Sequence, residues 1–248
     1  MFYGKFDGEK GKQFKDALEY FRTMFSRVYA NDNLITFNRN LTFLNNDPKF
    51  LDAFTRHAQS TQEKSLAWRL HTLCWAAKHC LKVPGDFVEC GVYRGFSFSV
   101  LTDYLDFENV KKDLYLYDTY EGIPEAYNSE NRSNAVYQKD NDILGHVTRT
   151  FAKYKNVKIV KGIVPDSFEQ TCPEKISFLH IDMNSSKSEI AALEKLFDRV
   201  SVGGIILFDD FGWLGYDKQT TAEIEFMAQR NHNLLELPTG QGLMIKYF

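Results

Sequence analysis

The chain has 248 residues, with 44% hydrophobic and 25% charged side chains, which is ordinary for a globular protein and enough for a substantial core. A formal net charge of −3 gives no electrostatic case for nucleic-acid or anionic-membrane partners. No apolar run approaches the ~20 residues that span a bilayer, and the N-terminus lacks an apolar signal core, so we expect a cytoplasmic protein.

The first 60 residues predict a helical extension. Apolar residues recur there at four- and three-residue steps, at Phe14, Leu18, Phe21, Phe25 and Val28. This spacing predicts an amphipathic helix over 10–30, and the asparagine-rich stretch 31–50 predicts an irregular connector. The aromatic stripe suits packing within the chain, a dimer contact or a lid. We divide the chain into an extension, 1–60, and a main domain, 61–248, and expect a homo-oligomer, most simply a dimer.

The main domain predicts an α/β fold. A helix is expected over 61–81, ending before Pro84 and Gly85. From Asp86 onward strands and helices alternate, which predicts a parallel sheet with helices on both faces. The expected strands after the first two are 157–161, 176–181, 204–208, 234–237 and 243–248. A short turn joins the last two, so the final strand should run antiparallel to the others.

The segment from Asp86 to Ser97 reads as a buried strand, a glycine-spaced turn and the start of a helix. Such a unit presents backbone N–H groups to a ligand, and its glycines permit close approach. A dinucleotide site uses G-x-G-x-x-G, whereas here Glu89 precedes Gly91 and the next glycine is Gly95. An acid in this place suits a ligand that carries a cation and hydroxyls without a pyrophosphate. S-adenosylmethionine fits that description.

A second acid supports this ligand. The strand predicted over 113–117 ends at Asp118, one βαβ step after Gly91, where a carboxylate can accept both ribose hydroxyls. Either acid alone could be a turn or helix-capping residue. The two acids in this order predict an S-adenosylmethionine site.

Acidic residues also follow two later strands. Asp182 comes directly after the strand predicted over 176–181, and Asp209 and Asp210 come after the strand over 204–208. Parallel strands present their carboxyl ends to one crevice, so these three acids should converge and repel one another. A divalent cation would resolve the repulsion, and oxygen ligands favour Mg²⁺, Mn²⁺ or Ca²⁺ over zinc. The alternative is that Asp209 and Asp210 cap the next segment while Asp182 pairs with a cationic side chain.

One histidine belongs to the same region. His180 lies two residues before Asp182 and therefore points to the same side of the strand. It is a candidate base or a hydrogen-bonded core histidine.

These motifs in this order resemble the macrocin O-methyltransferase family (TylF/MycF/NovP-like enzymes). The resemblance covers roughly 69–211 and runs through GDFVECGVYRG (85–95), YDTYEGIP (117–124), LHID (179–182) and VGGIILFDD (202–210). It implies a Rossmann-like class I methyltransferase fold, with a mostly parallel seven-stranded sheet, an antiparallel C-terminal hairpin and an N-terminal helical extension. It also implies a metal-dependent and S-adenosylmethionine-dependent O-methyltransferase that acts on a hydroxyl of a sugar or other polyhydroxylated small molecule.

The resemblance further implies roles for individual residues. The cofactor-binding positions are Glu89, Gly91, Tyr93, Gly95, Ser97, Asp118 and Gly162. The ligands of Mg²⁺ or another divalent cation are Asp182, Asp209 and Asp210, and the catalytic candidates are Asp182 and His180.

The chain departs from the family at one position. The family pattern after the first metal aspartate is D-x-D-x-Y, whose second acid is a candidate base, whereas this chain has Asn184 and Ser186. Asn184 cannot take a proton. Either His180 takes over as base, or the metal alone lowers the pKa of the substrate hydroxyl, or the chain no longer methylates what its relatives do.

Two other functions remain open. A nicotinamide-dependent oxidoreductase could use the same sheet, although the absence of G-x-G-x-x-G argues against it. A non-catalytic S-adenosylmethionine-binding protein is the second alternative. Asn184 supports it, and the three retained acids argue against it.

Overall fold

The computed structural model describes residues 8–135, 137 and 142–248. The chain divides into two compact units, one reaching to Thr72 and the other running from Leu73 to Phe248. The division falls within the helix Ala67–Cys80. None of the helices in these residues is long and apolar enough to cross a membrane.

The secondary structure of the described residues is numbered in chain order. The α-helices are α1 (Gly8–Met24), α2 (Thr42–Asn45), α3 (Pro48–His57), α4 (Thr61–Ser65), α5 (Ala67–Cys80), α6 (Phe96–Leu105), α7 (Ile143–Phe151), α8 (Ser186–Leu196) and α9 (Asp217–Ala228). The β-strands are β1 (Val28–Asn31), β2 (Leu34–Phe37), β3 (Asp86–Cys90), β4 (Leu114–Asp118), β5 (Val157–Lys161), β6 (Ile176–Ile181), β7 (Val200–Phe208), β8 (Leu235–Glu236) and β9 (Gly242–Ile245).

The first unit is more regular than its sequence predicts. The helix expected over 10–30 is confirmed as α1 but ends at Met24, and β1 follows and pairs antiparallel with β2. The connector expected over 31–50 was wrong, because it contains β2, α2 and the start of α3. Pro48 begins α3, where its missing N–H costs nothing, and Asp47 caps that helix through the Phe50 N–H.

The helix predicted over 61–81 is divided in two. It is interrupted at Leu66, between α4 and α5. At the start of α4, the Ser60 hydroxyl accepts the Glu63 N–H and the Glu63 carboxylate accepts the Ser60 N–H. This capping box marks the helix start that the sequence pattern predicts.

The second unit is built on a seven-stranded sheet within the described residues. Its strand order is β5-β4-β3-β6-β7-β9-β8. The strands from β5 to β7 are parallel, whereas β9 is antiparallel to both of its neighbours. This confirms the predicted mostly parallel sheet with an antiparallel C-terminal hairpin. The strand order reverses at β3, and in such sheets ligands bind outside the carboxyl ends of the strands at that point.

The centre of the sheet is the core of the second unit. Every residue of β6 is buried, and so are the last five residues of β7. Strands covered on both faces by helices read as continuous apolar runs, which is why these strands are recognisable in the sequence. Ser177 and His180 are the polar exceptions in β6, and Ser177 donates a hydrogen bond to the carbonyl of Gly85.

Candidate active site

A cavity of about 350 Å³ opens at the carboxyl ends of β3, β4 and β6. Among the predicted site residues, its lining includes Gly91, Tyr93, Asp118, Gly162 and Asp182. The predicted residues that do not line it are Glu89, Gly95, Ser97, His180, Asp209 and Asp210. The cavity therefore joins the predicted cofactor turn to one acid of the predicted metal site.

The glycine turn after β3 has no room for a side chain. Gly91 has φ +92°, and a Cβ atom there would lie 1.9 Å from the carbonyl oxygen of Asp182. The Asp182 N–H also donates to the carbonyl of Cys90, at 2.9 Å. Gly95 is the N-cap residue directly before α6, with φ +74°, and a Cβ atom there would lie 2.8 Å from the ring of Phe151. The two glycines let the turn lie directly against the end of β6 and against a neighbouring helix.

Asp118 holds this turn in place. Its Oδ2 accepts the N–H groups of Val92 and Tyr93, at 2.7 and 2.8 Å, and its Oδ1 accepts the Tyr120 N–H at 2.6 Å. The Thr119 hydroxyl also donates to Oδ1, at 3.4 Å, so donors within the chain already face most of the roughly four acceptor positions of this carboxylate. The expectation that Asp118 accepts both ribose hydroxyls stays a prediction.

Beneath the cavity, His180 lies between two carboxylates. Its Nδ1 is 3.3 Å from Glu89 Oε1, and its Nε2 is 3.6 Å from Asp209 Oδ1. Burial lowers the pKa of His180, but the two carboxylates outweigh this effect and raise it to about 10. Burial raises the pKa of Glu89 to about 7. Both ring nitrogens face acids and the side chain is 1% exposed, which is the environment expected of a core histidine, and its role as a base stays a prediction.

Two of the predicted metal ligands shift the pKa of the third. Burial, followed by the charges of Asp209 and Asp210, raises the pKa of Asp182 well above its ordinary value. Oxygen-only ligands of this kind suit a hard divalent cation. Among the described residues, however, no group of three or more His, Cys, Asp or Glu side chains is arranged to hold a metal ion.

Asn184, the departure from the family pattern, is tied into a network. Its Nδ2 donates to Asp182 Oδ1 at 3.2 Å, and its Oδ1 accepts the Tyr216 hydroxyl at 2.6 Å. Arg132 donates through Nε to the Asn184 carbonyl at 2.7 Å, and its guanidinium lies 3.6 Å from the centre of the Tyr216 ring. Asn184 has φ +57°, a conformation that asparagine tolerates better than most residues. The amide therefore orients Asp182 instead of taking a proton.

Arg132 and Tyr137 are among the cavity-lining residues that the sequence analysis did not assign to the site. The Tyr137 ring packs edge-on against Tyr93, with centroids 5.3 Å apart. Burial, followed by the charges of Asp182 and Asp118, raises the pKa of Tyr137, so its hydroxyl is a donor at neutral pH. Both residues follow β4 in a stretch without hydrophobic periodicity, and no sequence signal marks them.

Two acids meet beside the site, between α8 and α9. Glu189 and Glu223 are at most 1% exposed, and Glu189 Oε1 accepts the N–H of Met183 at 3.1 Å. Burial and the proximity of Glu223 raise the pKa of Glu189, and burial raises the pKa of Glu223 to about 7. At neutral pH the pair therefore holds at least one proton.

Glu223→Gln should stabilise the protein at about pH 8 by ~1–3 kcal/mol and have little effect at about pH 5. The folded chain binds the proton of Glu223 more tightly than the unfolded chain, where glutamate has a pKa near 4.3. Stability from this group is therefore complete at low pH and is lost as pH rises through about 7. Glutamine does not ionise, so the variant avoids that loss. Urea unfolding at both pH values measures the difference.

Glu225→Gln is the matched control, because Glu225 is exposed on the same helix. We expect it to change the free energy of unfolding little at either pH. A stability gain from Glu223→Gln that is equal at both pH values would contradict the proton-sharing pair.

Comparison with known proteins gives the protein family whose sequence model matches this chain. The model of the family described as Macrocin-O-methyltransferase (TylF) matches residues 64–236. The chain is 28% identical over 141 residues to demethyldecarbamoylnovobiocin O-methyltransferase of Streptomyces niveus, covering 52% of this chain and 53% of that protein. It is also 28% identical over 143 residues to 8-demethyl-8-(2,3-dimethoxy-alpha-L-rhamnosyl)-tetracenomycin-C 4'-O-methyltransferase of Streptomyces olivaceus, covering 52% and 54%. The matches thus span about half the length of these relatives.

The fold is also similar to that of a solved structure. The O-methyltransferase NovP superposes with a TM-score of 0.62 at 23% identity, over 73% of this chain and 80% of that one. At this identity the likeness shows the shared fold alone.

Proposed function

Because the chain belongs to the macrocin O-methyltransferase family, we propose that it transfers a methyl group from S-adenosylmethionine to a hydroxyl of a sugar or other polyhydroxylated small molecule. The observation that carries this proposal is the shared cavity. Gly91 and Asp118 line it together with Asp182, so the residues proposed for the cofactor and for the acceptor share one cavity. The choice of a sugar as acceptor is supported by the methyltransferase of Streptomyces olivaceus, whose name contains a rhamnosyl group.

The cofactor would bind against the glycine turn. The turn lies at the start of α6, and Asp118, Gly162 and Tyr93 line the cavity. S-adenosylmethionine carries a sulfonium and an ammonium, which suit an acidic environment. Beneath the turn, Glu89 Oε2 is buried and has no hydrogen-bond partner among the described residues. A buried orphan acceptor is costly unless a ligand or water satisfies it, so we assign Glu89 to the cationic end of the cofactor.

The acceptor would bind in the same cavity, against Asp182, Asn184, Arg132 and Tyr137. These side chains offer both hydrogen-bond donors and acceptors. Such a mixture suits an acceptor with several hydroxyls, because each hydroxyl can donate and accept. Arg132 is held by Asn184 and Tyr216 and is therefore pre-oriented for this contact.

We also propose that Asp182, Asp209 and Asp210 hold Mg²⁺ or another divalent cation. The support is the chemistry of the donors, because three neighbouring carboxylates need a positive charge to remain ionised together. When bound, such an ion supplies Lewis acidity that lowers the pKa of a hydroxyl. The neighbouring side chains would orient the three carboxylates, and Asn184 orients Asp182 through its hydrogen bond.

Calorimetric titration tests the cofactor first. S-adenosylmethionine and S-adenosylhomocysteine are titrated with and without Mg²⁺, and NADH is titrated in parallel. Micromolar binding of the first two and no binding of NADH is the expected result. No binding of either S-adenosylmethionine or S-adenosylhomocysteine under any condition would overturn the proposed activity.

Transfer of a radiolabelled methyl group to free sugars, nucleotide sugars and glycosides tests the acceptor. Label on one of these classes supports the sugar assignment. Cofactor binding without transfer to any hydroxyl compound would favour a non-catalytic binding protein. Unchanged turnover in excess EDTA would remove the metal from the proposal and leave the methyltransferase.

A further inference from the structure

The helix α8 begins without a cap from its own N-cap residue. Ser185 lies directly before α8, but its side chain makes no capping hydrogen bond, because its hydroxyl donates to the carbonyl of Tyr127 instead. A serine at this place ordinarily accepts an N–H group of the first turn, which otherwise has no partner within the helix. The proposed function uses Asp182 and Asn184 and leaves the start of the helix that follows them unexplained.

Glu130, in the loop after β4, supplies the missing hydrogen-bond acceptor. Its Oε1 accepts the Ser186 N–H at 3.3 Å and the Ser186 hydroxyl at 2.5 Å, and its Oε2 accepts the Ser129 hydroxyl at 2.7 Å. Burial raises the pKa of Glu130, but the hydrogen bonds from Ser186 and Ser129 outweigh this effect and lower it, so the carboxylate is ionised at neutral pH. The helix dipole favours a negative charge at this end. Glu130 therefore caps α8 from 56 residues away.

This cap lies where the chain departs from the family pattern. Ser186 occupies the tyrosine position of that pattern, and Asn184 occupies the position of its second acid. Arg132, two residues after Glu130, holds the Asn184 carbonyl. The Asn128 side chain closes the turn between them, because its Nδ2 donates to the Arg132 carbonyl and its Oδ1 accepts the Arg132 N–H, both at 2.8 Å. One hydrogen-bonded turn thus holds both departing residues.

We infer that Glu130 is a positioning residue that fixes the side of the cavity against which the methyl acceptor binds. Ser188 in the first turn of α8 lines the cavity, and so does the segment 182–184 directly before the helix. Capping the helix start fixes both. The glycine turn for the cofactor is held separately, by Asp118. This inference rests on the proposed function and names a residue that would set the affinity for the methyl acceptor.

Hydrogen exchange of the full chain without ligand tests the cap. In Glu130→Ala, amide exchange in the segment 126–132 and in the first turn of α8 should become about tenfold faster or more, because hydrogen bonds to a charged group are lost. Glu130→Gln keeps an oxygen that can accept the Ser186 N–H and should retain most of the protection. Glu125→Ala is the matched control, because Glu125 is exposed in the same loop, and it should exchange like the wild type.

Steady-state kinetics test the positioning role, with the methyl acceptor that the transfer panel identifies. Glu130→Ala should raise the KM for that acceptor by about tenfold and change kcat less, since it loosens a binding surface. Glu130→Gln should restore a KM close to that of the wild type. Affinity for S-adenosylhomocysteine, measured by calorimetry, should stay within about twofold in both variants.

Ser186→Ala provides a further variant, which removes the hydroxyl that donates to Glu130 and keeps the N–H. It should move the exchange rate and the KM in the same direction by smaller factors, and it decides the question if Glu130→Ala does not fold. Wild-type exchange at the start of α8 in the folded variants would overturn the cap. Faster exchange with a wild-type KM would overturn the positioning role. Absence of methyl transfer by the wild type would overturn the proposed function, while hydrogen exchange would still decide the cap.

Discussion

Asp182→Asn should lower the methyl-transfer rate by roughly a thousandfold, because a divalent cation supplies several kcal/mol and each 1.36 kcal/mol is a factor of ten. Among the described residues that line the cavity, Asp182 is the one proposed metal ligand. Asparagine has the same shape and removes only the charge. S-adenosylmethionine should bind with nearly unchanged affinity, since the glycine turn and Asp118 are untouched.

The stability of this variant separates a functional from a structural role. Burial and neighbouring charges disfavour the ionised form of Asp182, so a neutral side chain should leave the free energy of unfolding unchanged or raise it. Rates are measured with the acceptor that the methyl-transfer panel identifies, and stability by urea unfolding. Asp198→Asn, at an exposed position, is the control. Activity within tenfold of the wild type would show that Asp182 does not carry the reaction.

Gly91→Ala should destabilise the protein by roughly 3 kcal/mol or more and abolish cofactor binding in whatever remains folded. The left-handed φ of +92° costs about 1–2 kcal/mol for a residue with a Cβ atom. In addition, that atom would lie 1.9 Å from the Asp182 carbonyl. The obstacle is backbone at the end of β6, so no side-chain rotation can relieve the contact.

Gly203→Ala separates backbone strain from the collision. Gly203 has φ +83°, but a Cβ atom at this position would have the Val83 side chain as its nearest neighbour, at an ordinary 3.6 Å. We expect this control to cost only the strain, about 1–2 kcal/mol. Urea unfolding of both variants gives the comparison. Equal costs would mean that the turn can move away from β6 and that its position is not fixed.

The sheet and its crevice follow from the sequence because their causes are local. The fully buried strand β6 appears as an apolar run, and both β5 and β6 are predicted with their observed bounds. Parallel strands must present their carboxyl ends to one edge, so any acid directly after them arrives there. Asp118 and Asp182 reach the cavity for this reason. The secondary structure of the first unit was less predictable, because a strand as short as β2 has too few residues to show a hydrophobic periodicity.

Sequence by itself therefore determined the sheet, the glycine turn and the group of acids at one edge. Only the tertiary structure decided what each acid contacts. The sequence puts His180 near Asp182, but only the structure shows that its two ring nitrogens lie against Glu89 and Asp209. Glu130 and Ser186 are 56 residues apart, and Arg132 and Asn184 are 52 apart, in loops whose spacing carries no repeating pattern. Strand ends converge because backbone hydrogen bonding forces them together, whereas loop side chains meet only through the conformation of the whole chain.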